Sequence, residues 1–298
     1  MRIPYALKKG DKVAVLATAK RLESSYDKGI EQLKHWGFEP ILYDSVNSSS
    51  GYFAGNDLLR QNDFQDAINS PNIKAILFLR GGYGSTRILD QIDFSNFKKN
   101  PKWLIGFSDI TSILIHTIAL NVPAVHGPVA ISIGRDNNAD AQLYRIITGE
   151  SRFEYPLEGS SHTRLGKASG KIVGGNLSMV YEGIGAKNEI ETDGNILFLE
   201  EVGEELYAID RMMNKLKRVG KLRDLSGVIL GSFTSITDRQ GYWAASVEEV
   251  LISYFSGLDI PVACGLNAGH EKINYPLILG HQTKIEVTKD SLRIEYIK

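Results

Sequence analysis

The chain has 298 residues, of which 34 are basic and 35 acidic, for a formal net charge of -1, and 43% are hydrophobic. Such a length allows two domains with sizeable cores, while the balanced charge excludes a global field that would gather nucleic acid or an anionic membrane and leaves a small molecule as the expected partner. A single cysteine, Cys264, excludes a disulfide framework and a cysteine-rich zinc site; the N-terminus has no apolar h-region and no run approaches the ~20 apolar residues of a membrane span, which points to a cytoplasmic protein.

Lys12 to Ala19 is a short β-branched run of the kind found in buried strands. A helix over Ser24 to Trp36, ended by Gly37, and a strand over Phe38 to Tyr43 follow. Leu58 to Asn69 reads as a helix and Ile73 to Leu79 as a strand running into Arg80-Gly81-Gly82-Tyr83-Gly84, from which a helix over Thr86 to Gln91 leaves. Trp103 to Ile105 is an apolar strand that breaks at Gly106-Phe107-Ser108-Asp109 and restarts as a helix bearing Ile110, Ile113, Leu114 and Ile118. With a short strand at Val122 to His126, this alternation predicts a parallel sheet wrapped by helices, an N-terminal α/β domain over residues 1–150.

Residues 135 to 168 are polar and rich in small residues, and read as the interdomain connection. The second domain, 151–298, is expected to be mixed and rich in β-structure. Its strands fall at Gly170 to Val173, Asn195 to Glu200, Gly227 to Ser232 and Pro261 to Gly265, and its helices at Leu177 to Ile184, Ala208 to Val219 and Ser246 to Phe255. Lys284 to Thr288 and Leu292 to Ile297, joined by Lys289-Asp290-Ser291, form a hairpin at its end.

Ser108 sits on a sharp strand-to-helix turn, which lifts a hydroxyl clear of the sheet and leaves the following N–H groups available to an anion, as in nucleophile elbows. On the turn alone, Ser108 or Asp109 as a plain helix N-cap is the commoner role, and G-x-S-x-G fails because Ile110 stands at its fifth position. The Gly81-Gly82-Tyr83-Gly84 loop could stabilise negative charge through its backbone, although Arg87 replaces the third glycine of a dinucleotide fingerprint. Because both loops end strands of one sheet, the N–H groups of Asp109 and of Gly82 or a neighbour are expected to form an oxyanion hole.

A serine nucleophile needs a base, normally a histidine oriented by a carboxylate. Of six histidines, His116 lies two turns beyond Ser108 and roughly 12 Å away, too far to bond it. His126, after a strand, and His270, closing the loop Gly265 to His270, both remain candidates on spacing. The strand Asn195 to Glu200 ends in a carboxylate, where sites are usually built; alternation sends Glu200 and Glu201 to opposite faces, so only one can serve, and Glu204 and Glu205 read as a solvated turn.

These residues together resemble the LD-carboxypeptidase family of serine peptidases, which includes muramoyltetrapeptide carboxypeptidases and microcin self-immunity peptidases. The matching motifs are Arg80-Gly-Gly-Tyr-Gly84 with Arg87 and Asp90, Gly106-Phe-Ser-Asp109, His126-Gly-Pro128, Gly174-Gly-Asn-Leu177, Leu197-Phe-Leu-Glu200 with Tyr207 and Asp210-Arg211, and Gly269-His270. The resemblance implies a Ser108–Glu200–His270 triad, an N-terminal α/β and a C-terminal β-rich domain, and homodimers. It also implies a peptide or muropeptide substrate cut at the L,D-bond before a terminal D-alanine in murein recycling, with no metal or organic cofactor. Arg87 and Arg211, beside the matched motifs, are the candidates for holding the substrate carboxylate. Ala208 stands where many members have a basic residue, and Asn267 where proline is common. The alternatives are a microcin-immunity-type hydrolase of a peptide–nucleotide or aminoacyl conjugate, a nucleotide-binding enzyme using the glycine loop, and a non-catalytic α/β binding protein.

Overall fold

A computed structural model describes residues 1–297. Along the chain run β1 (Lys12–Leu16), α1 (Asp27–His35), β2 (Glu39–Leu42), α2 (Asp57–Asn69), β3 (Ile73–Phe78), α3 (Ser85–Leu89), α4 (Ser95–Lys99), β4 (Trp103–Gly106), α5 (Thr111–Ala119), β5 (Ala124–His126) and α6 (Asn137–Ile147). There follow β6 (Arg152–Pro156), β7 (Gly166–Asn176), α7 (Leu177–Glu182), β8 (Ile196–Val202), α8 (Leu206–Arg218), β9 (Gly227–Thr234), α9 (Val247–Ser253), β10 (Val262–Ala263), β11 (Leu277–Leu279), β12 (Gln282–Val287) and β13 (Ser291–Tyr296). Two compact units result, one of Met1–Glu150 with Tyr275–Gly280, the other of Ser151–Asn274 with the chain from His281 onward.

In the first unit the sheet order is β11-β5-β4-β3-β1-β2, parallel except for β11. Every residue of β4 is buried, as is all of β3 but Lys74 and all of β1 but Lys12. Near-continuous burial of this kind is what helices on both faces of a parallel sheet impose. The second unit is a sheet ordered β10-β9-β8-β7-β12-β13-β6. β7 divides it: residues of its second half pair in parallel with β8, and residues of its first half pair antiparallel with β12. On the antiparallel side burial alternates, with Phe153 and Tyr155 of β6 and Leu292, Ile294 and Tyr296 of β13 facing inward. That is the signature of a sheet with one solvated face. The expected terminal hairpin is present as β12–β13.

Two features depart from the sequence reading. The stretch read as a connection contains α6 and β6, and the Asp136 carboxylate caps α6 by accepting from the N–H groups of Asn138 at 3.0 Å and Ala139 at 2.9 Å. Its buried face is Ala139, Leu143, Ile146 and Ile147, helically spaced but opening in polar sequence that hides the period. The second is that Tyr275–Gly280 belongs to the first unit, where the three residues of β11 pair with β5. Among the described residues no helix is long and apolar enough to cross a membrane.

Asp140 of α6 is 5% exposed and accepts from the Gly134 N–H at 2.7 Å. Burial lifts its carboxyl from 3.8 to about 6, with Asp136 adding to the rise and the Gly134 N–H opposing it. Since the folded value exceeds the unfolded one, the fold holds the proton more tightly, and this support is present below about pH 4 and lost as pH rises toward 6. Asp140→Asn, which keeps an oxygen for Gly134, should gain unfolding free energy on the wild type between about pH 4 and about pH 7, by at most about 3 kcal/mol. Urea unfolding at the two values checks this, and an unchanged difference counts against it.

Candidate active site

In the first unit β4 delivers the chain to Ser108, whose φ of 63° places a non-glycine residue in the left-handed region. Such a residue costs roughly 1 kcal/mol or more, and is retained only where the surroundings over-determine it. Neither Ser108 nor Asp109 caps the helix that follows: no side-chain cap bond is made at the turn Ser108–Ile110 or at α5. The Asp109 carboxylate, 2% exposed, instead accepts from the Ser85 N–H at 2.9 Å, at the far end of the glycine loop. Burial raises the Asp109 carboxyl above its ordinary range, opposed by the Ser85 and Gly84 N–H groups and by Arg60.

The glycine loop lies directly against the turn that carries Ser108. A Cβ at Gly81 would sit 2.8 Å from Ser108 Cβ, 3.0 Å from its Oγ and 3.5 Å from the Asp109 nitrogen, so only glycine admits this approach. A Cβ at Gly82 would meet Lys20 at 2.5 Å and the Tyr52 hydroxyl at 3.2 Å. Tyr52 belongs to the 44–56 loop, in which no motif is readable.

His126, one of the two histidines left open by spacing, is fully buried on β5 with its ring 5.9 Å from that of Phe107. His116 packs its ring 4.6 Å from that of Phe94.

In the second unit a buried carboxylate meets a histidine. Glu200 near the end of β8 is 0% exposed, and its Oε2 lies 2.8 Å from His270 Nδ1. With the carboxylate ionised, only an Nδ1–H can make that bond; the lone pair then falls on Nε2, as a general base requires. Burial raises the Glu200 carboxyl above its ordinary range, against the pull of the His270 hydrogen bond and charge. Glu201 turns to the other face, as alternation requires, and accepts from Asn176 Nδ2 at 2.8 Å and the Ser178 N–H at 2.7 Å, at the start of α7. Its role is to hold that helix. Glu204 and Glu205 are half-buried and not on a solvated turn, with Glu205 holding Thr237 at 2.9 Å and Arg239 at 2.7 Å.

The loop that brings His270 to Glu200 depends on Gly269, at φ 137°, where a Cβ would meet Glu200 Oε2 at 2.7 Å. Its N–H is held by the buried Asn274 side chain at 2.9 Å. Asn267 tethers the same loop by donating to Glu158 Oε1 at 2.9 Å, a mooring where relatives were expected to have proline.

The candidate carboxylate binders differ. Arg87 is engaged by both oxygens of Asp57, at 3.1 and 2.6 Å, and stacks 5.1 Å from the Phe53 ring. Arg211 lies 5.4 Å over the Tyr207 ring, and Asp210 beside it accepts from the Tyr254 hydroxyl at 2.7 Å. Ala208 is buried in α8. Among the described residues no group of three or more His, Cys, Asp or Glu side chains is disposed to hold a metal ion. Arg60 carries no signal in the sequence beyond helix membership, and Asp57, just before the expected helix, carries none, yet Arg60 is fully buried against the glycine loop.

Residues 13–127 match the LD-carboxypeptidase N-terminal domain and residues 169–285 the LD-carboxypeptidase C-terminal domain. The probable murein peptide carboxypeptidase of Bacillus subtilis is 35% identical, over 98% of this chain and 94% of its own. The crystal structure of muramoyltetrapeptide carboxypeptidase from Oxalobacter formigenes superposes with a TM-score of 0.86 at 25% identity, over 96% of this chain and 99% of that one. The microcin C7 self immunity protein MccF in its wild-type apo state shares the fold at a TM-score of 0.88 and 22% identity, over all of both chains.

Gly269→Ala should fold, since the loop keeps its Asn274 and Asn267 tethers, but should push His270 off Glu200 and lower kcat/KM by at least ~100-fold. Steady-state turnover of a peptide substrate tests this; activity within threefold of wild type would show that the Gly269 contact does not position the histidine.

Proposed function

This chain belongs to the LD-carboxypeptidase family and is a serine-type carboxypeptidase, a hydrolase of peptide bonds; on that premise we propose that it releases the terminal D-alanine of a muramoyl tetrapeptide, with Ser108, His270 and Glu200 as its triad. The observation that carries this reading is the 2.8 Å bond between His270 and the fully buried Glu200, in a chain similar to carboxypeptidases named for murein peptides.

Ser108 Oγ attacks the carbonyl of the residue before D-alanine, and His270 Nε2 takes the proton. The oxyanion is received by the Asp109 N–H and by an N–H of the Gly81-Gly82 segment, a role supported by the approach of Gly81 to Ser108. His270 then protonates the departing amine of D-alanine, and a water molecule activated by the same imidazole releases the acyl group from Ser108. Throughout, Glu200 holds Nδ1–H and stabilises the imidazolium. The free carboxylate of D-alanine needs a cation. Of the two candidates we favour Arg211, because a substrate would have to displace Asp57 from Arg87. We place the reaction in the cytoplasm, in the recycling of wall fragments, and read the active species as a homodimer.

Ser108→Ala should fold and lose nearly all turnover, and Glu200→Gln should cost far more activity than Glu201→Gln, whose loss should appear mainly in stability. Incubation with tetrapeptide and pentapeptide muropeptides, followed by mass, should show one alanine lost from the tetrapeptide and an intact pentapeptide. An intact tetrapeptide alongside cleavage of an aminoacyl–nucleotide conjugate would move the assignment to the immunity-type reaction. Full activity in Ser108→Ala would end the nucleophile assignment.

A further inference from the structure

We propose that Arg60 is a positioning residue for the hydrolysis: with Asp109 it grips the peptide group between Gly84 and Ser85, and so holds the glycine loop in place beside Ser108. This rests on the reading of Ser108 as nucleophile and of that loop as an oxyanion donor.

An arginine with no solvent exposure is uncommon, and Arg60 turns to two backbone carbonyls as well as to one carboxylate. Its Nη1 donates to the Gly84 carbonyl at 3.0 Å and also to the Thr18 carbonyl, Nη2 pairs with Asp57, and the guanidinium lies 4.7 Å from the Phe53 ring. On the other side, Asp109 accepts from the Ser85 N–H at 2.9 Å. The Gly84 carbonyl and the Ser85 N–H are the two ends of one planar peptide unit. Held at both ends, that plane cannot turn. A third tether, Thr18 Oγ1 to Ser85 Oγ at 2.7 Å, joins the same residue to the end of β1. The site is shaped for the guanidinium: Gly84 has φ 138°, and a Cβ there would sit 2.8 Å from Arg60 Nη1.

The geometry links the clamp to chemistry through Asp109. Its backbone N–H follows the nucleophile, while its side chain reaches the end of the loop whose Gly81 touches Ser108. One residue therefore sets both walls of the proposed oxyanion hole, and Arg60 holds the second wall against it. A buried arginine serving only the fold could be exchanged for an apolar residue of similar volume at a cost in stability, through the acceptors left unpaired, but with turnover of the folded protein unharmed. One orienting a loop could not, because a displacement of about 1 Å at a reacting centre can cost 100-fold.

The test uses the full chain with Arg60→Met and Arg60→Lys. For Arg60→Met we expect an unchanged circular dichroism spectrum, kcat lowered ~100-fold with KM within threefold, and affinity for a tetrahedral peptide boronate lowered by the same factor as kcat/KM. Affinity for the product peptide should not change. Arg60→Lys, which can still donate to the Gly84 carbonyl, should recover at least tenfold of the lost kcat, and it carries the test alone if Arg60→Met does not fold. Wild-type kcat and boronate affinity in folded Arg60→Met, a kcat in folded Arg60→Lys more than about tenfold below wild type, or in either variant a loss of product affinity equal to that of the boronate, overturns the proposal. Ser108→Ala separates the two failures. If it is inactive while folded Arg60→Met retains wild-type kcat, only the Arg60 proposal falls; if it is active, the nucleophile reading falls and takes this proposal with it.

Discussion

A carboxylate removed entirely from water costs several kcal/mol unless a partner answers it, and Glu200 has no solvent exposure at all. Its answers are the His270 imidazole at 2.8 Å and, beside it, the Asn176 side chain. That constraint organises the second unit: β8 must end where it does, Gly269 must lack a side chain, and Asn274 must hold the Gly269 N–H at 2.9 Å so that the loop stays closed over the acid. The same burial that makes the acid costly makes its bond to His270 strong, since no water competes and the local dielectric is low. The tautomer of His270 follows from the cost of leaving Glu200 unanswered.

The first unit solves a different problem by comparable means. Its local costs are the left-handed backbone of Ser108 and the buried charges of Asp109 and Arg60. All three lie beyond the carboxyl ends of parallel strands or against the loops that leave them, while Glu200 lies near the carboxyl end of β8 in its own sheet. The buried strands behind them, β1, β3 and β4, are continuous apolar runs with little scope for rearrangement. A rigid sheet with short, strained exits can hold atoms to a fraction of an ångström, where a flexible loop cannot.

How much of this is legible in the sequence depends on the range of each interaction. The strand, break and helix around Ser108 can be read because all three signals fall within about fifteen residues. The choice of Glu200 over Glu201 is reducible to one of two by alternation, and the buried bond of Glu201 with Asn176 agrees with that logic. The role of Asp109 was not legible: Asp after a strand suggests a cap, and nothing local reveals an acceptor for Ser85, 24 residues earlier. Spacing could not separate His126 from His270, because their distances from Glu200 are set by topology; only the family resemblance chose. The helix α6 was hidden by its polar first turn, and β11 by being three residues long.

Arg60 marks the limit of such reading most clearly. On α2 it is one charged residue among several, and a charged side chain on a helix is ordinarily assigned to solvent. What places it inside is the supply of acceptors around it: two carbonyls released by irregular backbone at Thr18 and Gly84, and the carboxylate of Asp57, which Arg87 shares. Carbonyls of that kind exist only because the chain leaves its strands abruptly to build a site, and left unanswered in the interior they would each cost about 1–3 kcal/mol. The buried arginine is thus a consequence of the loops that chemistry requires. In Arg87 the same logic runs in reverse, since its bond to Asp57 helps hold the acid that Arg60 needs and takes that guanidinium out of easy reach of a substrate carboxylate.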